Sequence, residues 1–176
     1  MMEIKLSRGK IALIDDCDLD LVSGYTWCAY KGHNTFYAKT NVRRADGSRV
    51  VVRMHRLILG LTDPRVKVDH RDGNGLNNQR ANMRACTDAQ NGKNRQKNAN
   101  NTSGYKGVTL RKRDGKWHTS IMANGKRKHL GYFSTPEAAY AAYCAAAKDL
   151  HGEYANLGVT PAKKWSEPAF SYITKA

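Results

Sequence analysis

The 176-residue chain contains no apolar run approaching the roughly 18 residues that a membrane-spanning helix needs. Its basic residues do not line one face of an amphipathic helix either, so no membrane partner is expected. Cysteine is sparse: Cys17, Cys28, Cys86 and Cys144 nowhere fall into Cys-x-x-Cys spacing. That excludes a zinc ribbon and a disulfide framework and leaves the four as reduced, partly buried packing residues. Met1 to Lys10 lack the apolar core of a signal peptide, and the expectation is a cytoplasmic, non-secreted protein. Acidic residues are few, 15 against 30 Lys and Arg, giving a net charge of +15. This imbalance implies a polyanionic partner, nucleic acid first.

What is present divides along the chain into an expected α+β arrangement. Residues 1–53 read as a β-rich cap: Ile4 and Leu6 alternate, Ile11 to Ile14 is an apolar run, Phe36-Tyr37-Ala38 reads as a strand, and Asp46-Gly47 is a hairpin signal between Thr40–Arg44 and Arg49–Arg53. Trp27 is expected in the core. The acidic turn with Asp15, Asp16, Asp18 and Asp20 lacks the glycine and closing Glu of a calcium loop. From Met54 to Leu61 the period becomes helical, with Leu57, Ile58 and Leu61 on one face. His55, at that junction, is expected to be a satisfied structural histidine rather than a DNA contact.

The stretch VDHRDGNGLNNQRANMRACTDAQNGKN, which starts at Val68, carries the chemistry. Val66 and Val68 end a strand, so Asp69 and His70 stand where it gives way to the turn Asp72-Gly73-Asn74-Gly75. A second short strand holds Met83 and Ala85 beyond Asn82. Thr87 is a good N-cap for a helix beginning at Asp88. The order is strand, loop, strand, helix. Asp69 offers a carboxylate and Asn91 an amide oxygen, which suit a hard divalent cation, and His70 offers a base near neutral pH.

This pattern resembles the HNH endonucleases, the ββα-metal nucleases common among phage and intron-borne homing enzymes. Asp69-His70 match the family's opening pair, Asn82 its middle Asn, Asn91 its last position and Asn94 a further Asn. The His55-Arg56-Leu57 sequence also precedes the Asp-His strand in the phage homing enzymes of this type. The resemblance implies His70 as general base, Asn82 as the tie that holds its loop, and Asp69 with Asn91 as holders of one metal ion, Mg²⁺ or Mn²⁺. Asn in place of the last His makes an oxygen-loving metal the expectation over Zn²⁺. If a phage encodes the chain, its location is the host cytoplasm.

After Asn91 the composition turns to Asn, Lys, Arg and Gln, and residues 93–103 read as a basic linker whose Lys93, Arg95 and Lys97 are free to follow a phosphate backbone. From Ser103 the pattern is compact again, with turn signals at Asp114-Gly115 and Asn124-Gly125 separating three strands, and Thr135-Pro136-Glu137 opening an Ala-rich helix. Trp117, Thr119 and Ile121 share one face and His118, Ser120 and Met122 the other; the helix covers one of the two faces and leaves the other to solvent or ligand. The strands and turns carry Lys106, Arg111, Arg113, Lys116, Lys126, Arg127 and Lys128 against one acid, Asp114. A basic three-stranded sheet can enter the major groove.

Residues 104–157 resemble the Apetala-two-type DNA-binding domain of plant ethylene-response factors, which also follows HNH modules in phage and bacterial endonucleases. Tyr105, Gly107, Val108, Leu130-Gly131, Phe133, Tyr143 and Ala155-Asn156 are among the matching residues. Lys106, Thr109, Met122 and His129 stand where the plant proteins carry Arg or Trp, so the fold and binding face are implied but the plant target is not.

The expected layout is therefore 1–92 cap and nuclease module, 93–103 linker, 104–157 double-stranded-DNA-binding module of three antiparallel strands on one helix, and 158–176 tail. The expected function is metal-dependent hydrolysis of DNA phosphodiesters by a monomer or weak dimer. A non-catalytic DNA-binding regulator with a relic nuclease module, and an RNA-binding protein, remain as alternatives. Aromatic rings on the open sheet face would favour single-stranded RNA, and the sequence puts mostly cations there.

Overall fold

The computed structural model describes residues 1–98 and 100–158. The expected tail, Gly158 apart, lies outside the described residues.

In the cap, β1 (Met2–Lys5) and β2 (Ile11–Ile14) pair antiparallel and lead into a short helix α1 (Leu19–Ser23). Strands β3 (Cys28–Lys31), β4 (Phe36–Arg43) and β5 (Arg49–Arg53) form an antiparallel sheet in that order, followed by α2 (Met54–Ile58). Ile14, Val22, Met54 and Ile58 are fully buried in its core, each contributing about 1.5–3 kcal/mol. Trp27 lies there too, its indole N–H donating to the Val22 carbonyl at 2.9 Å.

The next unit does not have a core of its own. Strands β6 (Lys67–His70) and β7 (Met83–Cys86) pair antiparallel, with Asp69 opposite Arg84 and His70 opposite Met83. Met83 is buried in the cap's core, so the hairpin is anchored on the cap. The connecting loop is also stitched down: the Leu13 N–H donates to the Leu76 carbonyl at 2.8 Å, and the Asn78 N–H donates to the Leu13 carbonyl at 2.7 Å. The acidic turn completes the attachment. Asp15 accepts from the Arg80 N–H at 2.8 Å, and Asp18, 1% exposed, is paired with the Arg80 guanidinium at 2.6 Å. The short helix α3 (Asp88–Lys93) starts with a capping box in which Thr87 and Gln90 exchange hydrogen bonds.

The C-terminal module places β8 (Val108–Arg111), β9 (Lys116–Ala123) and β10 (Lys126–Phe133) in the order β10-β9-β8, antiparallel throughout, with a bulge in β10 between His129 and Gly131. Helix α4 (Pro136–His151), capped by Thr135, covers one face. Thr119 and Ile121 are buried beneath Ala139, Tyr143 and Ala147. Gly107 has φ +77°, and a Cβ there would lie 2.2 Å from the Tyr143 ring, so only glycine fits. The opposite face carries His118, Ser120 and Met122, joined across the β9–β10 register by Tyr132, His129 and Arg127.

Candidate active site

Strand β6 delivers Asp69 and His70 to the edge of an open cleft of about 720 Å³, and α3 delivers Asn91 to the same cleft. Tyr37, Gly75 and the linker residues Arg95 and Lys97 complete much of its wall. The approach at Gly75 is close: a Cβ would stand 2.5 Å from the Tyr37 ring and 2.6 Å from the Phe36 carbonyl oxygen.

Asn82 lies beside the loop that leaves His70. Its Oδ1 accepts from the Asp72 N–H at 3.1 Å, and its Nδ2 donates to Asp72 Oδ1 at 3.0 Å and the Asn77 carbonyl at 2.8 Å. Asp72 in turn accepts from the Asn74 N–H and the Asn77 amide. The loop is held by a polar mesh rather than by apolar packing.

His70 is 5% exposed, and its Nε2 is buried without a hydrogen-bond partner. Burial pushes the imidazole below its ordinary pKa, partly offset by the Asn78 amide and the nearby Asp72 and Asp69 carboxylates. The Asn78 Oδ1 is likewise buried and unpartnered. His55 and Tyr37 enclose the ring further, with centroids 5.5 and 5.9 Å away. The expectation of a satisfied His55 is corrected here: it is buried as foreseen, but its Nδ1 has no partner, and desolvation pushes its pKa down to about 3.

Asp69, 4% exposed, is more heavily engaged than its sequence context suggested. Arg84 donates to Oδ2 through Nε at 2.8 Å and Nη2 at 2.6 Å, and Asn94 Nδ2 donates to Oδ1 at 2.7 Å and to the His70 carbonyl at 2.9 Å. Neither Arg84 nor Asn94 had been singled out for this. The signal available was register, because an antiparallel return from His70 to Met83 sets Arg84 directly across from Asp69. Asn94 falls within the span expected to be linker, so the boundary at residue 92 cuts through the site.

A carboxylate has about four acceptor positions. Arg84 takes both on Oδ2 and Asn94 one on Oδ1, leaving one Oδ1 position for a cation. Asn91 is exposed on α3 and adds a neutral oxygen on the same cleft. This sparse, all-oxygen donor set fits a hard cation that takes its other ligands from water and phosphate. Among the described residues no group of three or more His, Cys, Asp or Glu is arranged to hold a metal.

The basic residues divide. Lys93, Arg95, Lys97, His118, Ser120 and Arg127 line a second cleft of about 630 Å³ between linker and sheet. Arg113, Lys116, Lys126 and Lys128 are exposed on the strands and turns. Lys106 departs from the expected DNA contact: its ammonium is turned inward, donating to the carbonyls of Arg95 and Asn156, and burial lowers its pKa to about 8. Arg111 pairs with Asp114 and lies over the Tyr132 ring, 3.9 Å from its centroid. His118 and His129 stack at 4.8 Å with Tyr132 against both, so the open face carries rings as well as cations.

Residues 103–153 match the AP2 domain model. Across 152 residues the chain is 29% identical to an uncharacterized HNH endonuclease, L560, of Acanthamoeba polyphaga mimivirus, a match covering 85% of this chain and 76% of that protein. No solved structure matches it. With Protein 3.8 of Escherichia phage T7 it shares 32% identity over 90 residues, 51% of this chain and 74% of that protein, and on this likeness the chain belongs to the Protein 3.8 family.

Proposed function

We propose that the chain is a metal-dependent DNA endonuclease of the HNH type, with double-stranded DNA recognised by the C-terminal module. The AP2 match and the distant HNH relative support a DNA-binding, nuclease-like protein. The observation that carries the catalytic reading is the convergence of Asp69, His70 and Asn91 on one open cleft beside a basic linker.

In this reading His70, kept neutral by burial, accepts a proton from the attacking water. Asn82 braces the loop that fixes the ring's backbone. Asp69 through Oδ1 and Asn91 through its amide oxygen would hold one Mg²⁺ or Mn²⁺, which would supply positive charge to stabilise the scissile phosphate and the leaving 3′-oxygen. One such cleft per chain cuts one strand per engagement, so a double-strand break requires a second chain or a second visit.

The test is supercoiled plasmid incubated with the protein in Mg²⁺, Mn²⁺ or EDTA, beside His70→Ala. Metal-dependent nicking that is lost in His70→Ala supports the assignment; a shifted but never nicked plasmid would identify a DNA-binding protein with a relic nuclease module. The ring cluster of His118, His129 and Tyr132 favours one other reading, single-stranded RNA binding. Competition between duplex DNA and single-stranded RNA for the same protein separates the two.

A further inference from the structure

Both oxygens of Asp69 are tied, through one intermediary each, to one short stretch of the other module, Glu153 and Tyr154 on one route and Asn156 on the other. On the first route Arg84, its side chain 9% exposed, donates to Asp69 with one edge, to the Glu153 carbonyl through Nη1 at 2.7 Å, and lies over the Tyr154 ring at 3.9 Å. The Glu153 carboxylate stands 3.5 Å from the same guanidinium. On the second route Asn94 holds Asp69 and the His70 carbonyl, while its own backbone and side-chain oxygens accept from Asn156 Nδ2 at 3.0 and 3.2 Å.

The segment that does this is itself fixed. The Asn156 carbonyl accepts from the inward-turned Lys106, and the Leu157 carbonyl accepts from the Tyr140 hydroxyl of α4 at 2.8 Å. A rigid line therefore runs from α4 through residues 153–157 to Arg84 and Asn94, and ends on one carboxylate. An accidental docking contact would not converge on both oxygens of the residue that the cleavage reading needs most.

We propose that Glu153, Tyr154 and Asn156 are positioning residues of the nuclease site: they hold Arg84 and Asn94 against Asp69 and so leave its free Oδ1 position oriented for a cation. The proposal rests on the cleavage reading above. It implies that removing residues 104–176 would not leave an intact, weakly binding nuclease, because the support of Asp69 goes with them.

The experiment uses the full-length chain. Mn²⁺ affinity is measured by electron paramagnetic resonance without DNA, for the wild type, Asn156→Ala, Tyr154→Leu, the double variant and Tyr154→Phe, which keeps the ring. The double variant should bind Mn²⁺ about tenfold more weakly, the lower end for removing groups that orient a metal ligand. Tyr154→Phe should stay within about twofold, and DNA binding in EDTA should be unchanged in all. The thermal stabilisation by Mn²⁺ should shrink in step with the affinity. Should the double variant not fold, Asn156→Ala, which removes only the two bonds to Asn94, carries the test. Unchanged Mn²⁺ affinity in folded variants overturns the clamp, as does tighter binding, which would make the contact a mask. A wild type that binds no Mn²⁺ and nicks no plasmid overturns the cleavage reading, and the clamp with it.

Discussion

Acid should destabilise this protein through His55 before most carboxylates are protonated. The side chain is 7% exposed, packed edge-on to Tyr37 and His70, with Arg53 and Arg56 adding positive charge nearby. Desolvation is the first cause of a pKa near 3, against 6.5 in the unfolded chain. Because the folded-state value is depressed, the unfolded state takes up the proton first. The stability His55 contributes is therefore present above about pH 6.5 and drains away as pH falls toward about 3, at roughly 1.4 kcal/mol per pH unit. Between about pH 7 and about pH 4.5 the loss from this one residue comes to about 2.5 kcal/mol, a sizeable share of a domain's usual stability of about 5–15 kcal/mol. Urea unfolding followed by tryptophan fluorescence, in wild type and His55→Gln at both pH values, isolates the His55 contribution. The wild type should lose about 2.5 kcal/mol more than the variant over that interval. Equal losses would mean that water or an unseen partner solvates the ring, and the reasoning from burial would fail.

Three further outcomes follow from the same structure. Arg80→Ala should cost about 3 kcal/mol, because it leaves the buried Asp18 carboxylate without its partner; Asp18→Asn should cost less, since Arg80 is half-exposed and can return to water, and thermal unfolding of the pair checks the asymmetry. Gly75→Ala should lower both stability and nicking, as its Cβ meets the Phe36 carbonyl, which is backbone and cannot swing away; wild-type melting and activity in this variant would show that the loop has slack. In the proposed cleavage reaction, log kcat/KM should rise with pH along a limb centred below about 6.5, since a base must be unprotonated and burial lowers the His70 value; a limb above about 7, measured at saturating metal, argues against His70 in that role.

Features set by neighbouring residues were legible in the sequence. The hairpin turns at Asp46-Gly47 and Asn124-Gly125, the Thr87 cap and the burial of Trp27 each follow from local turn chemistry, capping or apolar weight, and the structure contains all four. The alternation in β9 also gave its two faces, since Thr119 and Ile121 are buried and Met122 is exposed. The partners of charged and polar side chains were not legible. Asn94, matched by the resemblance but given no role and placed within the linker bounds, is a buried brace, and the Asp15–Asp20 turn, which suggested only an incomplete cation loop, is the anchor for Arg80. Such pairings depend on where distant segments meet, and no local pattern encodes them.

That blindness matters most for the basic residues, because a net charge of +15 invites every cation to be counted toward nucleic acid. Arg80 and Arg84 are committed to buried carboxylates, Arg71 faces Glu153, Lys106 staples the linker to the segment after α4, and Arg111 is held by Asp114 over Tyr132. A cation already neutralised inside the fold releases few counterions on binding, and only free ones set the salt dependence of affinity. Among the described residues, the cations of the linker and C-terminal module without such commitments include Arg95, Arg113, Lys116 and the Lys126–Lys128 turn, and the cap exposes others, Lys5, Arg8, Lys31, Arg43, Arg44, Arg49 and Arg53. Arg95 and Lys97 line the Asp69–His70 cleft, and Arg95 and Arg127 line the second one beside it, so Arg95 belongs to both. Under the proposed cleavage reading, a phosphate backbone passing from the second cleft to the first would meet Arg95 in both.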